Sequence, residues 1–209
     1  LTNLIAIFEN KALDFSKNRA EGDDILGDAY EYLMRHFATE SGKSKGQFYT
    51  PAEVSRIMAK VIGINPHKIT GQTTVYDPTP GSGSLLLKVA DEAGKSISIY
   101  GQENDNATRA LAVMNMWLHG NPASEIVQGN TLASPHFTDE STGELKQFDY
   151  AVANPPFSHK AWMNGWNPAN DIYKRFEGYD ALPPKKNGDY AFLLHLIKSL
   201  KSKGKGCIV

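Results

Sequence analysis

The chain has 209 residues, 41% of them apolar and 22% charged, with a formal net charge of -1. These figures describe an ordinary globular chain, long enough to bury a core, and argue against disordered and membrane-spanning classes. The near-neutral balance also excludes a basic nucleic-acid binder by bulk composition, so any phosphate contacts must come from a local patch or another subunit.

In chain order, the apolar group Leu4 to Phe8 comes first. Ile25, Leu26, Ala29, Tyr32, Leu33 and Phe37 then follow at helical spacing. Together they predict a helical packing segment over residues 1–45, ending in the polar linker Ser41 to Gly46. Residues 46–209 are expected to form the main domain. It opens with Gln47-Phe48-Tyr49-Thr50-Pro51-Ala52-Glu53, which reads as a helix start. Thr50 is placed as N-cap, Pro51 as the first helical residue and Glu53 as the partner in a capping box. The helix is expected to continue through Val54, Ile57, Met58 and Val61. Free backbone N–H groups at its start can also hold a carboxylate.

A short strand, Thr73 to Tyr76, runs into Asp77-Pro78-Thr79-Pro80-Gly81-Ser82-Gly83 and then a leucine-rich helix. Strand, glycine turn and helix form the context of a nucleotide fingerprint, but the third glycine of a dinucleotide site is missing. There is no Gly-Lys-Ser/Thr to grip phosphates. A ligand without phosphates, approached closely by backbone, fits better than either. The next strand, Ile97 to Tyr100, ends at Gly101-Gln102-Glu103. An acidic residue about 20 positions beyond the glycines is where ribose hydroxyls are held. Helix Asn106 to His119 follows, with Ala107, Leu111, Met114 and Leu118 as its expected core face. A third strand, Glu125 to Gln128, leads to Gly129-Asn130. Asn130 can bond a purine-like edge, and Gly-Asn is equally a routine turn.

The fourth strand, Tyr150 to Ala153 after Asp149, stops at Asn154-Pro155-Pro156-Phe157. Two prolines fix two φ angles and remove two donors. The turn therefore offers a carboxamide, free carbonyls and an aromatic ring at the end of a buried strand, where α/β sheets place ligands. An amide oxygen and a carbonyl can accept both hydrogens of an exocyclic amine while Phe157 stacks on its ring. Ser158 to Asn187 is long and irregular, with Trp162, Trp166, Tyr173, Phe176 and Tyr179 interleaved with Lys160, Lys174, Arg175, Lys185 and Lys186. That mixture suits nucleic-acid contact or local packing. Asp189 to Leu200 reads as an amphipathic helix. Gly206 to Val209 reads as the start of a buried strand, which suggests a piece of a longer protein. Cys207 is the single cysteine, so an intrachain disulfide and a Cys-rich metal site are excluded. With no signal-peptide pattern or bilayer-length apolar run, no membrane role and a cytoplasmic setting are expected.

Read together, these motifs resemble the modification subunit of type I restriction-modification systems, within the adenine-specific DNA methyltransferases. The resemblance rests on Tyr30 to Leu33, Gln47 to Pro51, Asp77 to Gly83, Gly101 to Glu103, Asn154 to Phe157 and Asp189 to Phe192, and on their order. It implies an α/β fold: a Rossmann-like methyltransferase sheet of seven strands, truncated here at about five. It implies methyl transfer from S-adenosyl-L-methionine to the N6 amine of a flipped adenine, with Asn154, Pro155, Pro156 and Phe157 catalytic. Gln47, Phe48, Tyr49, Thr50, Asp77, Pro78, Thr79, Gly81, Ser82, Gly83, Glu103 and Asn130 are its implied cofactor contacts. Asn130 stands where related enzymes often carry Asp. The implied partners are double-stranded DNA, a specificity subunit and a restriction subunit, with two modification subunits per complex. Two alternatives stand beside this reading: a methyltransferase of protein glutamine amides, and a non-catalytic assembly module.

Overall fold

The computed structural model describes residue 32, residues 50–94 and residues 96–209. Apart from Tyr32, the predicted helical segment over 1–45 lies outside the described residues, as do Gln47, Phe48 and Tyr49. What is described is a five-stranded, wholly parallel sheet with helices on both faces. In chain order its elements are α1 (Ala52–Val61), β1 (Thr74–Asp77), α2 (Ser84–Ala93), β2 (Ser98–Glu103), α3 (Asn106–Leu118), β3 (Glu125–Gln128), β4 (Phe148–Ala153), α4 (Asp189–Lys198) and β5 (Leu200–Ile208). The strands lie in the order β3-β2-β1-β4-β5. Val75 is in register with Ile99 of β2 on one side and Tyr150 of β4 on the other.

This order places the helices. A parallel crossover is right-handed, so β1-α2-β2-α3-β3, winding outward one way, puts α2 and α3 on one face. The winding reverses at β4, which puts α4 on the opposite face. Strand residues alternate to match. Val75, Ile99, Ile126 and Val152 join Met58, Leu86, Val89 and Met116 beneath α1, α2 and α3. Tyr76 and Phe148 face the other way and stack with ring centroids 4.5 Å apart. Ala151 and Ala153 pack there under Leu196 of α4.

Several expectations give way. Thr50 is not the N-cap of α1: Pro51 takes that place at φ -52° and ψ 139°, and no side chain caps the helix. The Thr50 hydroxyl is engaged elsewhere, with Asn154. The helix does continue to Val61, with Ser55, Met58 and Ala59 buried and Ile57 and Val61 exposed. In α3 the buried residues are Thr108, Ala112, Asn115 and Met116, while Met114 and Trp117 face outward. Two of those four are polar, so an apolar stripe misplaced the face. Thr108 bonds the Asp105 carboxylate, and the Asn115 Nδ2 donates to the Ser82 carbonyl at 2.9 Å. β5 starts at Leu200 rather than Gly206, because a register shift lets both Leu200 and Lys205 reach β4.

The segment 158–187 holds only the short 3-10 turn Pro168–Asn170. It is nonetheless firmly packed. Trp162 and Phe176 are buried with Leu132 and Phe192. Arg175, 3% exposed, makes a two-pronged ion pair with Asp171 at 2.9 and 2.8 Å. For Trp162, Phe176 and Arg175, local packing is therefore the observed role. Among the described residues, no helix is long and apolar enough to cross a membrane.

Candidate active site

The strand order reverses between β1 and β4, and a cavity of about 220 Å³ opens at the carboxyl ends of the strands there. Pro78 and Thr79 supply one wall, Glu103 and Asn130 a second, and Asn154 and Pro156 a third. These residues span 79 positions of sequence, and the sheet brings them together. The glycine turn stands behind the first wall. Gly81 has φ 56° and Gly83 φ 81°, left-handed values that glycine adopts without strain. A Cβ on Gly83 would lie 2.7 Å from the Met116 methyl, so the turn also lets α2 and α3 pack closely.

Glu103 ties this turn to the end of β2. One of its carboxylate oxygens accepts from the Gly81 N–H at 3.1 Å, the other from the Asp105 N–H at 2.9 Å. A carboxylate has about four acceptor sites. With the Asn104 N–H engaging it as well, part of that capacity remains for a ligand in the cavity that Glu103 lines. Burial raises its pKa, and the nearby Asp105 charge adds to the effect. Asp77 lies deeper, 1% exposed, with Oδ1 accepting from the Thr79 N–H at 2.8 Å. Lost hydration pushes its carboxyl up to about 8, and the Glu103 charge reinforces the shift. Asp77 shapes the wall from behind rather than lining the cavity.

Asn130 forms a turn. Its Oδ1 accepts from the N–H groups of Leu132 at 3.0 Å and Ala133 at 3.1 Å. That use of the oxygen leaves its amide nitrogen as the group that can meet a ligand.

The end of β4 is the unusual part. Pro155 is buried, while the Phe157 ring is 58% exposed. Ser158 follows with φ 51°, a left-handed conformation that costs a non-glycine residue about 1–3 kcal/mol. It is held there by Asp189 at the start of α4, whose Oδ1 accepts the Ser158 N–H at 2.6 Å. Pro155, Phe157, Asp189 and Tyr190 border a second, apolar cavity of about 210 Å³. Asn154 itself donates from Nδ2 to the Thr50 Oγ1 at 3.2 Å. Its Oδ1 is buried and has no hydrogen-bond partner among the described residues. Such orphaned acceptors cost about 1–3 kcal/mol, and one in a cavity wall points to a donor on a ligand.

Three contributors were not foreseen as a site. Gln102 is 2% exposed and uses both ends of its amide, Nε2 to the Ser134 carbonyl and Oε1 from the His136 N–H. It fixes the loop after β3 against β2. Thr131 donates to the Pro78 carbonyl at 2.9 Å and so joins two cavity walls. His159, together with Trp162, closes the cavity from the 158–187 segment. No spacing rule flags these residues, since each acts through contacts distant in sequence.

Residues 21–209 match the N-6 DNA Methylase family. The chain is 35% identical over 221 residues to the methylase subunit of the type I restriction enzyme MpnII from Mycoplasma pneumoniae, a match covering 100% of this chain and 39% of that protein. It is 33% identical to the MjaVIII methylase subunit from Methanocaldococcus jannaschii, over 89% of this chain and 32% of the relative. In crystal form, the type I restriction-modification methyltransferase subunit from Streptococcus thermophilus superposes with a TM-score of 0.74 at 37% identity, covering 91% of this chain and 39% of that one. The chain thus spans well under half the length of these relatives. Sheet order, switch-point cavity and the extent of these matches converge on a Rossmann-like methyltransferase fold, and the chain belongs to the N-6 DNA methylase family.

Proposed function

We propose that this chain is the cofactor-binding and catalytic part of an enzyme that methylates the N6 amine of adenine in DNA. It would act as the modification subunit of a type I restriction-modification complex. One observation carries the reading: the buried, unpartnered Oδ1 of Asn154 in the wall of the switch-point cavity. The relatives' names as type I methylase subunits support the assembly. Double-stranded DNA, a specificity subunit, a restriction subunit and a second modification subunit would be the partners. Family membership favours DNA over a protein glutamine amide as substrate.

The donor set fits S-adenosyl-L-methionine. Glu103 keeps acceptor capacity for a ribose hydroxyl, the Asn130 amide nitrogen can donate to a ring nitrogen, and Pro78 and Thr79 bring backbone close. When bound, the cofactor supplies a methyl group on a positively charged sulfur. The chain's own part is to present the amine. Adenine's exocyclic nitrogen is a weak nucleophile because its lone pair is shared with the ring. Asn154 Oδ1 and the Pro155 carbonyl accept its two hydrogens and favour a pyramidal nitrogen whose lone pair faces the methyl. Such catalysis is by position and fixed dipoles. Taking the methyl makes the nitrogen cationic as the sulfur becomes neutral, and the nitrogen then gives up one of its hydrogens to water, so no strong base is required. The base must leave the duplex, and stacking on the exposed Phe157 ring offsets the cost by about 1–3 kcal/mol.

The test is product identity. The full-length parent, assembled with its specificity partner, should transfer labelled methyl to DNA, and nucleoside digestion should yield N6-methyladenine. Label found only in a methylated cytosine, or only in protein, would overturn the proposal.

A further inference from the structure

We infer that Thr50 is a positioning residue for Asn154, holding the carboxamide with its oxygen toward the incoming amine. This rests on the proposed role of Asn154. A carboxamide has a donor end and an acceptor end of nearly the same shape, and only the acceptor end can receive an amine hydrogen. Asn154 directs Nδ2 onto the Thr50 hydroxyl at 3.2 Å and leaves Oδ1 buried without a partner. The two groups are 104 residues apart in sequence, and they meet because the turn before α1 lies against the end of β4.

The local geometry shows that this hydroxyl is not a helix cap. Pro51 occupies the cap position of α1, and the Ser55 N–H bonds the Pro51 carbonyl at 3.0 Å. The Thr50 Oγ1 is therefore free of the task its sequence context predicts, and it serves Asn154 instead. A hydroxyl can also donate, so it could tolerate a turned-over amide. What decides is the amine: with a donor entering the cavity, the orientation that pairs all groups has Oδ1 on the amine and Nδ2 on Thr50. Without the hydroxyl, neither end of the amide has a partner on that side among the described residues, and the amide loses its anchor.

The experiment compares Thr50→Val and Thr50→Ser in the full-length complex with its specificity partner, measuring kcat, KM for DNA and cofactor affinity by calorimetry. Valine keeps the shape and removes the oxygen; serine keeps the oxygen. Thr50→Val should lower kcat about 10–100-fold, the range expected when a buried polar group loses its partner. Cofactor affinity should stay within about twofold, and Thr50→Ser should recover most of the rate. A double-mutant cycle guards against a merely structural effect: in an Asn154→Ala background, Thr50→Val should cost nothing further. Full additivity, a wild-type kcat for Thr50→Val, or a loss confined to cofactor affinity would each overturn the inference. If the unsubstituted complex itself makes no N6-methyladenine, the proposed function fails instead, and the two failures are distinguishable.

Discussion

Two buried polar groups in this molecule have opposite fates. Around Arg175 the polar atoms find partners. Its guanidinium grips Asp171, donates to the Leu132 carbonyl at 2.8 Å and reaches His195 Nδ1 at 3.3 Å. Arginine has no acceptor, so that contact makes Nδ1 the bare nitrogen. His195 Nε2 then carries the proton and donates to the Tyr76 hydroxyl at 3.0 Å. Tyr76 engages Thr131 in turn, and Thr131 donates to Pro78 at the cavity. At Asn154, by contrast, a buried oxygen has no partner among the described residues. The satisfied cluster joins the 158–187 segment to α4, β1 and the cavity wall. The unsatisfied one is the acceptor proposed for the target amine. The difference separates a group whose partners lie within the fold from one in a cavity wall that can receive a donor from outside it.

The largest effect should come from breaking the completed cluster. Arg175→Ala leaves the Asp171 carboxylate buried without its cation, held only by backbone N–H groups, which costs about 3–5 kcal/mol. Denaturant unfolding should show that loss as a lower midpoint at unchanged slope. A loss below about 1 kcal/mol would mean the cluster is not structural. Asn154→Ala should do the reverse. It removes an acceptor that the fold leaves unused, so unfolding should shift by about 1 kcal/mol or less. Methyl transfer by the full complex should fall about 10²–10³-fold with cofactor affinity retained, if the loss of one oxyanion-hole donor is a fair guide. A transfer rate near wild type, or a large drop in stability, would erase the distinction between the two groups.

The two clusters were unequally legible in the sequence. Asn154 to Phe157 stands out in the sequence, because a tight turn accounts for Pro155 and Pro156 but poorly for the Asn and Phe that flank them after a buried strand. The alternation of short strands and helices similarly dictates a parallel sheet, and the strand Glu125–Gln128 falls where its apolar pattern puts it. The Arg175 cluster is invisible by comparison. Its members come from four separate stretches, and Arg175 among aromatic residues looks like a nucleic-acid contact until the Trp166 ring is found 4.5 Å from its guanidinium, inside the fold. Thr50 misled for a related reason. Thr-Pro-x-Glu is good capping chemistry, and only the distant β4 turn competes for the hydroxyl. The core face of α3 failed because Thr108 is buried by a bond to nearby Asp105 and Asn115 by one to the distant Ser82 carbonyl, and hydropathy registers neither.

The most gradual effect is a tilt of stability with pH, and the two regions tilt it in opposite directions. Burial lowers the His195 pKa from about 6.5 to about 3, with the Arg175 charge adding to the shift. Between those values the unfolded chain binds a proton that the folded chain refuses, so His195 makes stability rise with pH across that window. Asp77, beside the cavity, is raised by burial from 3.8 to about 8. Between 3.8 and 8 the folded chain keeps a proton that the unfolded chain has lost, so Asp77 makes stability fall as pH rises. Each slope is limited to one proton, about 1.4 kcal/mol per pH unit. From pH 4 to 6.5 the two oppose each other. Above 6.5 the His195 contribution is complete and Asp77 acts alone, so stability should decline toward pH 8. Asp77→Asn keeps an acceptor for the Thr79 N–H and removes the titration. Denaturant midpoints of that variant should stop declining above pH 6.5 and should rise between pH 4 and 6.5, where the His195 slope is no longer opposed. An identical pH profile in variant and wild type would show that Asp77 is ionised in the fold, and that the cavity wall carries its charge rather than its proton.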